Sequence, residues 1–133
     1  MFTAHVLTLF PELFPGPLAH SVTGRALKDK KWQLKTYNIR DYGIGKHKAV
    51  DDTPYGGGAG MLMRPDIVAK SIRNAKANAP GAKVVYLTPT GETFTHTHAT
   101  QLAKEKDIIV LCGHYEGIDQ RVINTDVDME LSI

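Results

Sequence analysis

Residues 107–112 read Asp-Ile-Ile-Val-Leu-Cys, and this run decides the fold. All its side chains except the first are apolar, which is typical of a strand buried on both faces of a parallel sheet. A second run, KVVYLT at residues 83–88, is rich in β-branched and aromatic side chains and predicts another strand. Because helical patterns separate the strands, we predict an α/β fold with a mainly parallel sheet and flanking helices.

Further elements are predicted on both sides of these two strands. We find no internal repeat and no linker, so we predict one domain over residues 1–133. The predicted elements are a strand at 6–10, a helical turn from Pro11, a helix at 18–29, a strand at 32–39, a helix from Pro65 that ends at 79–81, a helix at 95–105 and a short helix at 118–123.

The composition excludes several classes of protein. Hydrophobic residues make up 42% of the chain and charged residues 23%, as in soluble globular domains. No apolar run reaches the roughly 18 residues that a membrane span needs, so we expect no membrane partner. The apolar N-terminus lacks the basic region and cleavage site of a signal peptide. Cys112 is the only cysteine, which excludes an internal disulfide and suits a reducing compartment, so we expect a cytoplasmic protein.

The basic residues are clustered, although the formal net charge is only +2. Such a cluster can contact a nucleic-acid backbone, or it can be the solvated end of a helix and a loop. Charge alone favours the second interpretation. The residues are Lys28, Lys30, Lys31, Lys35, Arg40, Lys46, His47 and Lys48.

Two predicted strands run into loops that could hold a ligand. The first loop is Thr88-Pro89-Thr90-Gly91, and the second spans residues 113–117, GHYEG. Ligands of open α/β sheets bind beyond the carboxyl ends of the strands, where glycines allow close approach of the backbone. Glu116 adds a carboxylate that could attract a cationic ligand or a metal ion. The alternative is two tight turns with a solvent-facing glutamate.

Residues 51–61, DDTPYGGGAGM, form the most glycine-rich segment of the chain. The segment is not a Walker A loop, because no Gly-Lys-Ser/Thr follows, and it fails the G-x-G-x-x-G spacing of dinucleotide folds. A flexible surface loop is one interpretation. Its length and the flanking Asp51, Asp52 and Tyr55 favour a binding role.

The remaining reactive residues give weaker signals. His96 and His98 could form a metal pair, but no thiol or carboxylate stands at a supporting spacing, so a solvated helix start is favoured. Cys112 ends an apolar strand, where a structural thiol is the common case. No Ser-His-Asp order suggests a nucleophile.

Six motifs, in this order, resemble the TrmD family of bacterial tRNA (guanine-N1)-methyltransferases, of the SPOUT or α/β-knot class. The resemblance runs from one end of the chain to the other. The motifs are LFPELF at 9–14, VTGRA at 22–26, VDDTPYGGGAGMLM at 50–63, AKVVYLTPTG at 82–91, LCGHYEGIDQRV at 111–122 and ELSI at 130–133.

This resemblance implies a trefoil knot that grips S-adenosylmethionine, a tRNA substrate methylated at N1 of the guanine 3′ to the anticodon, and a homodimer whose subunits share each active site. Magnesium is compatible with Glu116, which has at most a supporting role. The implied cofactor-binding residues are Tyr86, Leu87, Thr88, Pro89, Gly113, Tyr115, Glu116, Gly117, Ser132 and Ile133. The implied substrate-binding residues are Asp51, Tyr55, Gly56, Gly57, Gly58 and Gly60, with Asp51 the strongest candidate.

Three departures from the family pattern bear on function. His114 stands where the family usually has arginine, and Thr88 replaces a common serine. The sequence also stops at Ile133, before the end of the knot, the general-base aspartate and the helical tRNA-binding domain that the family has. We therefore expect no catalytic base in residues 1–133, no activity of this chain alone and weak cofactor binding. The alternatives are a SPOUT methyltransferase for another RNA base, against which the 50–63 segment argues, and a non-catalytic RNA-binding module.

Overall fold

The structure is a computed structural model, and it describes residues 1–43, 51–52, 62–113, 118 and 120–133. The strands are β1 (Phe2–Thr8), β2 (Trp32–Asn38), β3 (Asp51–Asp52), β4 (Leu62–Met63), β5 (Lys83–Thr93), β6 (Asp107–Cys112) and β7 (Met129–Ser132). The α-helices are α1 (Ser21–Lys28), α2 (Pro65–Asn78), α3 (His96–Ala103) and α4 (Gln120–Asp126), and short 3₁₀ helices cover Pro11–Leu13, Gly16–Ala19 and Ile39–Tyr42.

Five of the strands form one sheet in the order β2-β1-β6-β5-β7. Each neighbouring pair is parallel. The apolar β6 lies at the centre of this sheet, which confirms the parallel α/β prediction and explains why its side chains are apolar on both faces. The knot stays a prediction.

The sheet is covered on both faces, so the domain has three layers. On one face, side chains of α2 and α4 such as Ile72 and Val122 join Leu7 and Leu111 of the sheet in the larger core cluster. On the other face, Leu102 of α3 joins a second cluster. Successive residues of a strand point to opposite faces, which is how one strand contributes to both clusters.

Helix α2 shows how the sequence sets this packing. Pro65 begins the helix, where its missing N–H costs no hydrogen bond, and the acidic Asp66 lies in the first turn. The buried side chains recur at helical spacing and face the sheet; they are Ile67, Val68, Ser71, Ile72 and Ala75. Ser71 is the polar member of this face, and its hydroxyl donates to the Val68 carbonyl at 2.8 Å.

Several predicted boundaries are wrong. The strand predicted over residues 6–10 is β1, Phe2–Thr8, and the helix predicted over residues 118–123 is α4, Gln120–Asp126. The single helix predicted over residues 18–29 is a 3₁₀ turn followed by α1, because His20 is extended and Ser21 has a positive φ of 57°. The turn packs tightly on α1, and a Cβ at Gly24 would overlap the carbonyl oxygen of Ala19. The strand predicted to end at Thr88 continues to Thr93, and β7 was not predicted.

A polar group crosses the sheet interior. His5 is 1% exposed, and its Nδ1 lies 2.8 Å from the Tyr37 hydroxyl while its Nε2 lies 2.9 Å from Oδ1 of Asp107. An ionised carboxylate only accepts, so Nε2–H donates to Asp107 and the Tyr37 hydroxyl donates to the free Nδ1. This arrangement satisfies the buried imidazole and links β2, β1 and β6.

Candidate functional site

The two predicted ligand loops begin at the same edge of the sheet. Leu87 of β5 lies opposite Cys112 of β6 in a parallel pair, so Thr88 and Gly113 follow side by side. This is the carboxyl edge, where the chain leaves parallel strands and ligands of open α/β sheets bind. The juxtaposition on which the sequence-based site depends is therefore present.

The loop after Leu87 is an excursion within β5. Leu87 and Glu92 both align with Leu131 of β7, so the residues between them bulge out of the ladder before the strand resumes. The Thr88 hydroxyl lies 3.2 Å from the Thr90 hydroxyl inside this bulge. The sequence predicted that the strand ends here in a loop, but the strand continues through the bulge to Thr93.

A cleft of about 210 Å³ opens beside the excursion. It lies between the end of β7 and the excursion, and its lining residues are Leu87, Thr88, Pro89, Ser132 and Ile133. All five were implied as cofactor-binding, on two different walls. Pockets for small molecules usually enclose roughly 300–1,000 Å³, so these walls fit part of a nucleoside-sized ligand.

Tyr86 and Gly113, the other described members of the implied cofactor set, are placed differently. Tyr86 is 6% exposed and belongs to the core cluster on the face opposite to Leu87. Burial raises the pKa of its phenol, the neighbouring Thr88 side chain lowers it, and the charge of Glu130 raises it further. Tyr86 therefore lies behind the wall of the cleft, and Gly113 lies beside it at the end of β6.

The base of the glycine-rich segment is tied to this edge. Asp51 pairs with Met63 in the antiparallel ladder of β3 and β4, and Met63 forms a parallel bridge with Ile118. Ile118 follows the loop that begins at Gly113. The Met63–Ile118 bridge was not predicted, since no local pattern marks a single bridge between segments 55 residues apart in number. It joins the strand that pairs with Asp51 to the chain just after the second ligand loop.

Several implied site residues lie outside the described part of the chain. They are Tyr55, Gly56, Gly57, Gly58, Gly60, Tyr115, Glu116 and Gly117. Their roles stay predictions.

The histidine pair has a structural explanation. His98 Nδ1 accepts from the backbone N–H of Thr95 at 3.0 Å, and the Thr95 hydroxyl caps the first turn of α3 in return. His98 Nε2 also lies 3.4 Å from Glu92. Among the described residues, no group of three His, Cys, Asp or Glu side chains could hold a metal ion. Burial raises the pKa of the Cys112 thiol, which suits a structural role.

A parallel α/β sheet with a cleft at its carboxyl edge is the architecture in which open α/β proteins bind their ligands. The family profile "tRNA (Guanine-1)-methyltransferase TrmD" matches residues 2–133. The chain belongs to this family.

Individual relatives agree with this assignment. A tRNA (guanine-N(1)-)-methyltransferase of Rickettsia rickettsii is 48% identical over 130 residues, covering 98% of this chain and 56% of the relative. One of Novosphingobium aromaticivorans is 51% identical over 121 residues, covering 91% of this chain and 49% of the relative. The crystal structure of tRNA (m1G37) methyltransferase from Aquifex aeolicus superposes with a TM-score of 0.87 at 30% identity, covering 99% of this chain and 59% of that one. The chain thus spans about half the length of the relatives it matches. No helix in the described ranges has the length and apolar character to cross a membrane.

Proposed function

We propose that residues 1–133 form the S-adenosylmethionine-binding part of an enzyme that methylates N1 of the guanine 3′ to the anticodon of tRNA. The observation that carries this proposal is the cleft between the excursion in β5 and the end of β7, next to Gly113 at the end of β6. Relatives that match the whole described sheet bear the name of this activity. Methyl transfer requires a cofactor pocket, and the cleft at this edge would provide it in the part of the enzyme that residues 1–133 form.

The cofactor would lie against walls that the structure describes. Leu87, Pro89 and Ile133 offer apolar surface, while Thr88 and Ser132 offer hydroxyls and main-chain groups. This cleft is too small for the whole cofactor. It would be extended by the residues implied in the second loop, which are Gly113, Tyr115, Glu116 and Gly117. When bound, S-adenosylmethionine supplies an electrophilic methyl group on a sulfonium. The walls contribute by fixing its orientation, which is a large part of rate acceleration in a transfer between two bound groups.

The substrate guanine would be received from the side of the glycine-rich segment. Asp51 sits at the base of that segment, and the Met63–Ile118 bridge joins its partner strand to the chain just after the second ligand loop. Loss of the N1 proton calls for a positioned base, which typically contributes about 10²–10⁴ in rate. In this proposal the base is an aspartate beyond Ile133, in the region of the relatives outside the match. Glu116 has a supporting role, and magnesium takes part in no step that we assign.

A second copy of the chain is the proposed partner besides tRNA. β1 is parallel to β6, so the segment after Thr8 starts at the same edge as the cleft. This segment exposes four large apolar side chains, a pattern typical of a surface that a protein partner covers. These side chains are Phe10, Leu13, Leu18 and Val22. A homodimer formed there would place the partner subunit beside the site.

The cytoplasm is the proposed location, since the lone thiol suits a reducing compartment and the proposed substrate is tRNA. The exposed lysines at the end of α1 and on β2, such as Lys28 and Lys35, are compatible with a role in holding RNA phosphates. Charge alone still allows a solvated surface.

The decisive experiment is a chimaera in which these 133 residues replace the matching portion of the Rickettsia rickettsii relative. We expect it to methylate N1 of the guanine 3′ to the anticodon in a tRNA transcript, and not a transcript with adenine there. The unextended chain should transfer no methyl group, yet bind S-adenosylhomocysteine weakly in calorimetry. A chain that binds tRNA and ignores this ligand would be a non-catalytic RNA-binding module. Methylation at another base or atom would place the protein elsewhere in the SPOUT class.

A further inference from the structure

The space beside Gly113 is already occupied by a side chain of the protein. A Cβ built on Gly113 would lie 3.0 Å from Cε1 and 3.1 Å from the hydroxyl oxygen of Tyr86. Contacts this short are tighter than nearly all those that real Cβ atoms make. A side chain at residue 113 would thus force the Tyr86 ring to shift by a few tenths of an ångström, whether or not a ligand also approaches the backbone there.

The Tyr86 ring has little freedom to move away. Tyr86 aligns with Leu111 of β6 on one side and with Glu130 of β7 on the other, so its backbone is held by two neighbouring strands. The side chain is buried in the larger core cluster. Protein interiors are packed nearly as densely as organic crystals, so a push on this ring is passed to its neighbours.

Those neighbours include the wall of the cleft. The residue after next in β5 is Thr88, whose side chain interacts with the Tyr86 phenol, and Thr88 begins the excursion. Leu87, between them, points to the opposite face and lines the cleft. A displaced ring would therefore press on the Thr88 side chain, which belongs to one wall of the cleft.

We propose that Gly113 and Tyr86 form a positioning pair. The missing side chain at residue 113 lets the Tyr86 ring pack against the end of β6, which sets the Leu87–Pro89 wall for the cofactor. This inference rests on the proposed function, since the ligand it concerns is S-adenosylmethionine. Gly113 acts in this scheme through Tyr86. That differs from the sequence-based expectation that its bare backbone alone receives the ligand.

The test is a double-mutant cycle read by S-adenosylhomocysteine affinity in calorimetry. Gly113→Ala should weaken binding about tenfold, equivalent to about 1.4 kcal/mol. Tyr86→Leu removes the ring atoms that the new methyl group would meet. In the Tyr86→Leu background, Gly113→Ala should therefore change affinity by less than about twofold. Tyr42→Leu removes another tyrosine packed against the same core and should give no rescue.

Two outcomes overturn the proposal, and they differ from failure of the proposed function. If Gly113→Ala weakens binding equally in both backgrounds, residue 113 meets the ligand directly and Tyr86 has no positioning role. If Gly113→Ala leaves affinity unchanged in the otherwise unaltered chain, the close packing has no bearing on the cleft. An unaltered chain that gives no binding heat rejects cofactor binding itself. In that case, urea unfolding of the unaltered chain, the two single variants and the double variant still reports whether residues 86 and 113 are coupled in packing.

Discussion

The imidazole Nε2 of His5 lies 2.9 Å from Oδ1 of Asp107, and through this contact one buried side chain joins β1 to β6. The Tyr37 hydroxyl completes the group from β2. Three neighbouring strands of the sheet are therefore held in register by side-chain bonds as well as by their ladders.

His5→Leu should lower the free energy of unfolding by about 2–3 kcal/mol, because it removes a hydrogen bond to a carboxylate and one to a phenol. Tyr37→Phe removes the second bond and the contact of the hydroxyl with the Asn78 side chain, and should cost about 1 kcal/mol. Urea unfolding measures both values. Equal losses for the two variants would mean that the Asp107 contact contributes nothing.

Thr95→Ala should destabilise the protein by about 1 kcal/mol, because the Thr95 hydroxyl caps α3 and bonds to His98. Thr95→Ser keeps the hydroxyl and serves as the matched control. Thermal unfolding followed by circular dichroism distinguishes the two. A serine variant as unstable as the alanine variant would point to lost methyl packing.

Gly91→Ala should cost about 1–3 kcal/mol through overpacking. A Cβ there would lie 2.7 Å from the carbonyl carbon of Glu130 and the nitrogen of Leu131, which are backbone atoms of a paired strand. The adjacent, exposed Thr90→Ala should stay within about 0.5 kcal/mol of the unaltered chain. If Gly91→Ala leaves the free energy of unfolding unchanged, β7 can move away from the excursion.

The raised pKa of Cys112 predicts a loss of stability in alkali. Burial keeps the thiol protonated in the folded protein at a pH where an unfolded chain, with a thiol pKa of about 8.5, has lost the proton. The contribution is therefore complete below about pH 8 and declines as pH rises through the folded pKa. Cys112→Ala should make the unfolding free energy less dependent on pH above about pH 8. Parallel profiles for both proteins contradict the prediction.

Ser132→Phe should reduce S-adenosylhomocysteine affinity at least about tenfold, because the ring would fill a cleft of only about 210 Å³. Thr100→Phe, on the exposed side of α3, is the control for added aromatic surface and should bind normally. Calorimetry provides the affinities. If Ser132→Phe binds S-adenosylhomocysteine normally, the cofactor does not bind in this cleft.

Local sequence patterns were sufficient to predict the elements at the centre of the fold. Residues 107–112 form a central strand because apolar side chains on both faces leave no other stable position, and Pro65 begins α2 where predicted. The positions of Thr88 and Gly113 at one edge follow from two parallel strands being neighbours. This is why the candidate cofactor edge could be found from the sequence.

Features that depend on distant partners could not be predicted. Residues 129–132, Met-Glu-Leu-Ser, alternate apolar and polar side chains, but a run of four is too short to predict a strand alone. They form a strand because β5 offers its free edge. The extension of β5 to Thr93 depends on the same pairing. The bridge from Met63 to Ile118 and the packing of Tyr86 on Gly113 are likewise contacts between segments far apart in sequence.

The placement of β7 determines when, during synthesis, the protein can first bind a ligand in the cleft. β7 pairs with β5, and Ser132 and Ile133 form one side of the cleft that Leu87 and Thr88 begin. During translation, the first side leaves the ribosome more than 40 residues before the second. A nascent chain therefore cannot hold ligand in this cleft until residue 133 has emerged, so ligand cannot assist the folding of the earlier strands.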